Sequence, residues 1–259
     1  MVVYVLERDG LPFIDAVKKL AAIAGLQLPS LDVKDQEAYR TAQQRTGLLE
    51  EATSYMAWSL QHASGKRADA VREYLQGRGW TMAEVEAVGL GYLPGWEKLK
   101  AYLVSKGYTE QEVEEALTIR KDGRLGDTHT LAIPYRSGSR ILGYAFRNLT
   151  GEGDKYLVTK NNEHGSRKDG LFNLSPLKGT KDLVVVEGYL DALHATAKGL
   201  ENVVAVGSSH LGLEHIQDAI AKGARKVTLC LDADEGGRKG TDKALEVLKA
   251  FPRLKVYVA

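Results

Sequence analysis

Leu183-Val184-Val185-Val186 followed by Glu187-Gly188, and later Val227-Thr228-Leu229-Cys230-Leu231 followed by Asp232-Ala233-Asp234, decide the fold. Both runs are short, β-branched and bounded by glycine, and each precedes a stretch with helical spacing. That is the pattern of parallel strands buried on both faces. In such a sheet Glu187, Asp232 and Asp234 leave at one edge, the carboxyl end of the strands, where open α/β sheets bind ligands. Three carboxylates there suit a divalent-metal site for phosphoryl-transfer chemistry.

Outward from these runs the chain alternates regularly. The spacing predicts strands over 182–186, 202–206, 226–231 and 254–258, with helices over 189–198, 212–221 and 238–250. This is a parallel sheet with right-handed crossovers. Upstream, Thr130 to Tyr135 and Arg140 to Arg147 read as a hairpin joined at Ser137-Gly138-Ser139, and a glycine-rich, charged stretch follows over 148–170. The first half is helical: 11–24, 37–61, 68–76, 82–88, 96–105 and 110–117, with Thr109 and Glu112 spaced as a capping box. The expected class is therefore α/β, a mostly helical N-terminal subdomain with a β-hairpin followed by a parallel α/β sheet.

Composition excludes more than it assigns. A net charge of +1 means that any nucleic-acid surface must be local. The single cysteine, Cys230, rules out internal disulfides and a zinc ribbon within these residues, and its place in a strand suggests an inert core side chain. There is no signal segment and no apolar run of about 18 residues, which reads as a soluble, cytoplasmic protein with no membrane partner. Trp58, Trp80 and Trp96 read most simply as core, and His194 and His215 as surface or satisfied histidines. No Gly-x-x-x-x-Gly-Lys-[Ser/Thr] segment is present, so no NTP-driven motor is encoded.

Magnesium takes oxygen ligands and keeps several waters, so two aspartates one residue apart at a strand end can hold it and leave room for phosphates. If strand geometry continues through them, Asp232 and Asp234 point the same way. Alone, Asp-Ala-Asp-Glu-Gly-Gly reads equally well as a polar turn capping the next helix. Glu187 tips the balance, because Glu-Gly at the end of an apolar strand is a poor core choice and a good ligand or general base. Gly207-Ser208-Ser209 ends the intervening strand at the same edge and could present donors to a phosphate. Between Arg136 and Lys181 basic side chains outnumber acidic ones, with Tyr144, Phe146 and Tyr156 interleaved, as in a nucleic-acid contact surface.

Val184 to Asp191 and Asp232 to Arg238 resemble the TOPRIM domain of bacterial DnaG-type replicative primases. The resemblance continues upstream through Tyr74-Leu75-Gln76-Gly77-Arg78-Gly79, Gly89 to Pro94, Ile133-Pro134, Gly143 to Arg147 and Lys155-Tyr156-Leu157, in the family's order. Asp9 to Val17 resembles the helix that closes the family's zinc-binding module. The resemblance implies three regions: residues 1–29 as the remnant after that module, 30–180 as the N-terminal subdomain of the primase core, and 181–259 as a C-terminally incomplete TOPRIM domain. It implies a core that makes short RNA primers on single-stranded DNA from ribonucleoside triphosphates. Glu187, Asp232 and Asp234 would be the catalytic and metal-binding acids, for Mg2+ or Mn2+, with zinc only in the module this chain lacks. Arg147, Lys155, Lys168, Ser208 and Arg238 would meet phosphates, while Gly188, Asp191 and Gly237 complete the motif. A replicative helicase would bind through a region not present.

The chain departs from the family where Thr128-His129-Thr130 replaces an Arg-x-Arg pair, and it ends before a further acidic motif. Two other readings compete: a catalytically inactive primase-derived module that binds single-stranded DNA or a helicase, and another TOPRIM enzyme such as a nuclease. Intact carboxylates argue against the first, and the upstream primase-like half argues against the second.

Overall fold

The computed structural model describes residues 13–27, 33–118, 125, 127–137, 140–159, 170–175, 177, 179, 181–207 and 211–259. Ser208, Lys168 and the hairpin turn at 138–139 lie outside them, as does the segment before Phe13. The chain divides into two compact units, residues 1–165 and 166–259.

In the first unit, α1 (Phe13–Ala24) is followed by the 30-residue α2 (Val33–His62). Leu48, Ala52, Met56 and Leu60 recur every four residues on α2 and are all buried, a core stripe at helical period. That stripe meets α5 (Trp96–Ser105), α6 (Glu110–Leu117) and an antiparallel sheet ordered β1-β2-β3-β4. Its strands are β1 (Gly91–Tyr92), β2 (His129–Ser137), β3 (Arg140–Asn148) and β4 (Tyr156–Val158). Pro134 is tolerated within β2 because β1 pairs only with Leu131 and Ala132, leaving no neighbour on that side at Pro134. The buried Tyr144 donates its hydroxyl to the Leu49 carbonyl at 2.6 Å, and desolvation pushes that phenol far above its usual range.

Capping chemistry sets several helix limits. Helix α4 (Met82–Val88) starts at a Thr81/Glu84 capping box and stops at Gly89, while α6 starts at the Thr109/Glu112 box expected from the sequence. Before α4 lies α3 (Lys66–Gly77). Trp58, read as core, is instead 57% exposed and stacks on His62 one turn later, since it sits off the α2 stripe.

The second unit holds a parallel sheet ordered β6-β5-β7-β8: β5 (Asp182–Val186), β6 (Val203–Ala205), β7 (Lys226–Cys230) and β8 (Lys255–Val258). Leu183, Val185, Val227 and Leu229 share one face, covered by α8 (Leu213–Ala221) and α9 (Glu235–Leu248) through Ile216, Ala219, Ala244 and Leu248. Helix α7 (Tyr189–Ala197) packs on the edge strand β6. Burial on both faces, expected from the sequence, holds for only one face of β7. The opposite face carries Lys226, Thr228 and Cys230, and Cys230 is exposed rather than core. Among the described residues no helix is long and apolar enough to cross a membrane.

A Cβ on Gly91 would stand 2.7 Å from Met56 Cβ and 2.8 Å from its carbonyl carbon, whereas one on Gly77 meets nothing within 4 Å. Gly91→Ala should therefore push β1 off α2 and destabilise by about 1–3 kcal/mol. Gly77→Ala, in helix, should stabilise by about 0.5–1 kcal/mol. Urea unfolding of the two variants checks both signs.

Candidate active site

The last residue pair between β5 and β7 is Val186 with Cys230. Glu187 and Asp232 therefore leave neighbouring parallel strands one and two residues beyond it, at the carboxyl edge. Gly207 reaches the same edge, its N–H bonded to the Glu187 carbonyl at 3.1 Å. Glu187, Asp232 and Asp234 are all exposed. Among the described residues neither the Glu187 nor the Asp232 carboxylate has a hydrogen-bond or ion-pair partner.

Asp234 has a second task. Strand β7 stops at Cys230, so Asp232 and Asp234 lie in the turn, and a shared strand face does not align them. Instead Asp234 is the N-cap of α9, with Oδ1 accepting from the Gly237 N–H at 2.8 Å. This starts the helix at Glu235, three residues before the sequence-based expectation, because the Asp234 cap carries Glu235, Gly236 and Gly237 into its first turn. The capping turn and the acidic edge are thus one structure. Gly237 makes it possible: a Cβ there would overlap the Asp232 carbonyl oxygen and stand 2.7 Å from the Asp232 carbonyl carbon. Gly188 is the N-cap of α7, and the Asp191 carboxylate folds back against it. Arg238 is exposed and turns one Nη back to the Ala233 carbonyl at 2.8 Å, bracing the same turn.

These donors fit a hard divalent ion in chemistry. All are oxygens, two are unpartnered, and the N-termini of α7 and α9, which begin just after Glu187 and Asp234, offset part of their charge. Among the described residues no three His, Cys, Asp or Glu side chains are gathered closely enough to enclose an ion. Magnesium does not require it, since one or two carboxylates with water and substrate oxygens suffice.

Two of the expected cationic residues, Arg147 and Lys155, lie in the first unit. Tyr144 and Phe146, expected on a contact surface, are buried in the core. Strand alternation turns Arg147 to the other face, opposite its cross-strand partner Tyr156. Arg147 donates to the Tyr156 hydroxyl at 2.7 Å, and its guanidinium carbon lies 5.3 Å from that ring and 5.0 Å from the ring of Tyr74 on α3. Lys155 Nζ lies 5.9 Å from the Tyr156 ring. Among the described residues no carboxylate pairs with Arg147 or Lys155.

His129, at the place of the missing arginine pair, is buried. Its Nε2 donates to the Asp154 carbonyl at 2.9 Å, and Asn148 donates to the Glu152 carbonyl at 2.6 Å. Together they pin the loop that presents Lys155. Neither His129 nor Tyr74 was singled out for such a role from the sequence, because their partners are distant along the chain.

Residues 55–178 match the family described as DNA primase catalytic core, N-terminal domain, and residues 181–259 match the Toprim domain. A DNA primase of Streptomyces coelicolor is 29% identical over 100% of this chain and 42% of its own length. One of Deinococcus radiodurans is 31% identical over 94% of this chain and 42% of its own. The RNA polymerase domain of the Mycobacterium tuberculosis primase DnaG, solved with double-stranded DNA, is 26% identical. It superimposes with a TM-score of 0.67 over 84% of this chain and 73% of that one. The chain spans about two fifths of the length of these curated relatives.

The double duty of Asp234 separates stability from charge. Asp234→Ala should cost about 1 kcal/mol through the lost cap, while Asp234→Asn, an equally good cap, should stay within a few tenths of the parent. Thermal unfolding of the two variants tests this.

Proposed function

Since the chain joins the N-terminal domain of a DnaG-type primase catalytic core to a Toprim domain, we propose that it synthesises short RNA primers on single-stranded DNA by nucleotidyl transfer from ribonucleoside triphosphates. The observation that carries this reading is the pair of unpartnered carboxylates, Glu187 and Asp232, at the ends of adjacent parallel strands beside the Asp234-capped helix. Toprim domains and primase cores are metal-dependent in general.

Glu187, Asp232 and the free oxygen of Asp234 are the donors for Mg2+ or Mn2+. When bound, such an ion stabilises charge on a polyphosphate and makes a coordinated hydroxyl more acidic. The remaining work belongs to the chain. Arg147 and Lys155 hold template phosphates, since neither has an acidic partner to compete with. Arg238 stiffens the turn that carries Asp232 and keeps donors free for a nucleotide phosphate. Lys168 joins this phosphate-binding set on the strength of the motif order and Ser208 on its place in the sequence after the intervening strand, and Gly188, Asp191 and Gly237 shape the backbone around the acids.

A primer assay with labelled ribonucleoside triphosphates, single-stranded DNA and either magnesium or manganese tests the reading. RNA products should form with the unmodified chain and fall to background in Asp232→Ala, with the melting temperature little changed because Asp232 is exposed and unpartnered. Absence of product with both metals, alongside retained binding to single-stranded DNA, would instead favour a binding module that has lost catalysis.

A further inference from the structure

Five side chains from three elements form a ladder on the first unit in which cations alternate with aromatic rings. Arg78, at the C-cap of α3, has its guanidinium carbon 5.8 Å from the Tyr74 ring centroid. Arg147 follows at 5.0 Å from Tyr74 and 5.3 Å from Tyr156, and Lys155 at 5.9 Å from Tyr156. All of these separations lie within the roughly 6 Å range of cation–π attraction.

The ladder constrains Arg147 in particular. One Nη is committed to the Tyr156 hydroxyl at 2.7 Å, and its Nε is buried with no hydrogen-bond partner. Two rings and one hydrogen bond hold the guanidinium in place without neutralising it. A carboxylate in that position would fix the side chain equally well but would cancel its charge. Tyrosine rings fix it and leave the charge for an incoming anion. The same rings are already engaged by cations, so they are poor platforms for nucleic-acid bases.

We propose that Tyr74 and Tyr156 are positioning residues that pre-orient Arg147 and Lys155 toward nucleic-acid phosphates, and that this surface reads the backbone of a single strand without stacking its bases. The proposal rests on the template-binding role assigned above to Arg147 and Lys155 and extends it to α3, which that reading did not use. Backbone contact without base stacking makes the surface indifferent to sequence, as a template track needs.

Fluorescence anisotropy with two oligonucleotides of equal length, one of deoxythymidine and one abasic, decides the matter. Tyr74→Leu should raise Kd about tenfold for both strands and lower the slope of log Kd against log salt by about 1, as loss of one phosphate contact does. Tyr74→Phe, which keeps the ring, should bind like the parent. In an Arg147→Ala background Tyr74→Leu should have no further effect, and thermal melts confirm that each variant is folded. Losses that simply add in the double variant would overturn the positioning role, because a ring acting through Arg147 cannot matter once Arg147 is gone. A loss confined to the base-bearing strand would equally overturn it, since the rings would then be stacking bases. If Arg147→Ala alone leaves both affinities and the salt slope unchanged, the template-binding assignment itself fails, and the inference with it.

Discussion

The backbone register that ends with Val186 opposite Cys230 ties the core of the Toprim unit to its chemistry. In a strand the side-chain period is two, so slipping β5 by one residue against β7 would move Leu183 and Val185 off the face shared with Val227, Leu229, α8 and α9. The apolar cluster therefore fixes the register, and the register fixes which residues emerge first at the carboxyl edge. Glu187 and Asp232 are held near one another by apolar burial several residues away. Their like charges are tolerated because both are exposed and because α9 begins beside them, its first free N–H groups facing the turn.

The first unit solves a different problem with aromatic residues. Its sheet is buried on both faces through the middle of β2 and β3, where Leu131 to Tyr135 and Gly143 to Phe146 are all buried, and Arg136, Arg140 and Arg147 stand toward the strand ends. Tyr144 and Phe146 enter the core, while Arg147 turns outward to Tyr156 and Tyr74. Where arginines are needed near the core, backbone carbonyls and helix ends receive them. Arg45 donates to the Leu142 carbonyl beside the β2–β3 irregularity, and Arg136 reaches the C-cap glycine of α4. Burial lowers the pKa of both guanidinium groups, but their reference value is so high that they stay charged.

Elements whose limits depend on local chemistry were legible in the sequence, and those that depend on distant partners were not. Helices α4 and α6 carry complete capping boxes and start where the spacing predicts, and β5 is framed by Lys181 and Glu187. Strands β1 and β4 are too short for periodicity to register, being held by pairing to β2 and β3. Helix α9 starts earlier than the spacing predicts because Glu235-Gly236-Gly237 reads locally as turn, and only the fold shows that the Asp234 cap draws it into the helix. Cys230 and Trp58 were misjudged for one reason: an apolar context in sequence does not reveal which face a neighbour will cover. At the candidate site, Glu187 and Asp232 stand out because an acid ending an apolar strand has no structural motive. Tyr74 and His129 carry no such mark, since their significance arises from Arg147 and Asp154, which the chain brings to them only on folding.

Charge compensation separates structural ionic groups from functional ones within this single molecule. Lys100 sits among Glu97, Glu110 and Glu114, and the hydrogen bond it donates to the Glu110 carboxylate is the main reason its pKa is raised. That cluster staples α5 to α6 and surrounds the ammonium with carboxylates, so Lys100 has no charge to offer an anionic partner. Arg147 and Lys155 are fixed by rings and a pinned loop without a counter-charge, and Glu187 and Asp232 are fixed by strand register without one. Each arrangement forgoes an ion pair that a nearby substitution could have supplied. An uncompensated charge held in a defined place gains nothing for the folded state alone, and the free energy it leaves unrealised becomes available only when an oppositely charged ligand arrives. Under the proposed function, the cations arranged this way would meet phosphate and the carboxylates a hard metal ion, the two partners that polymerising nucleotides on a template requires.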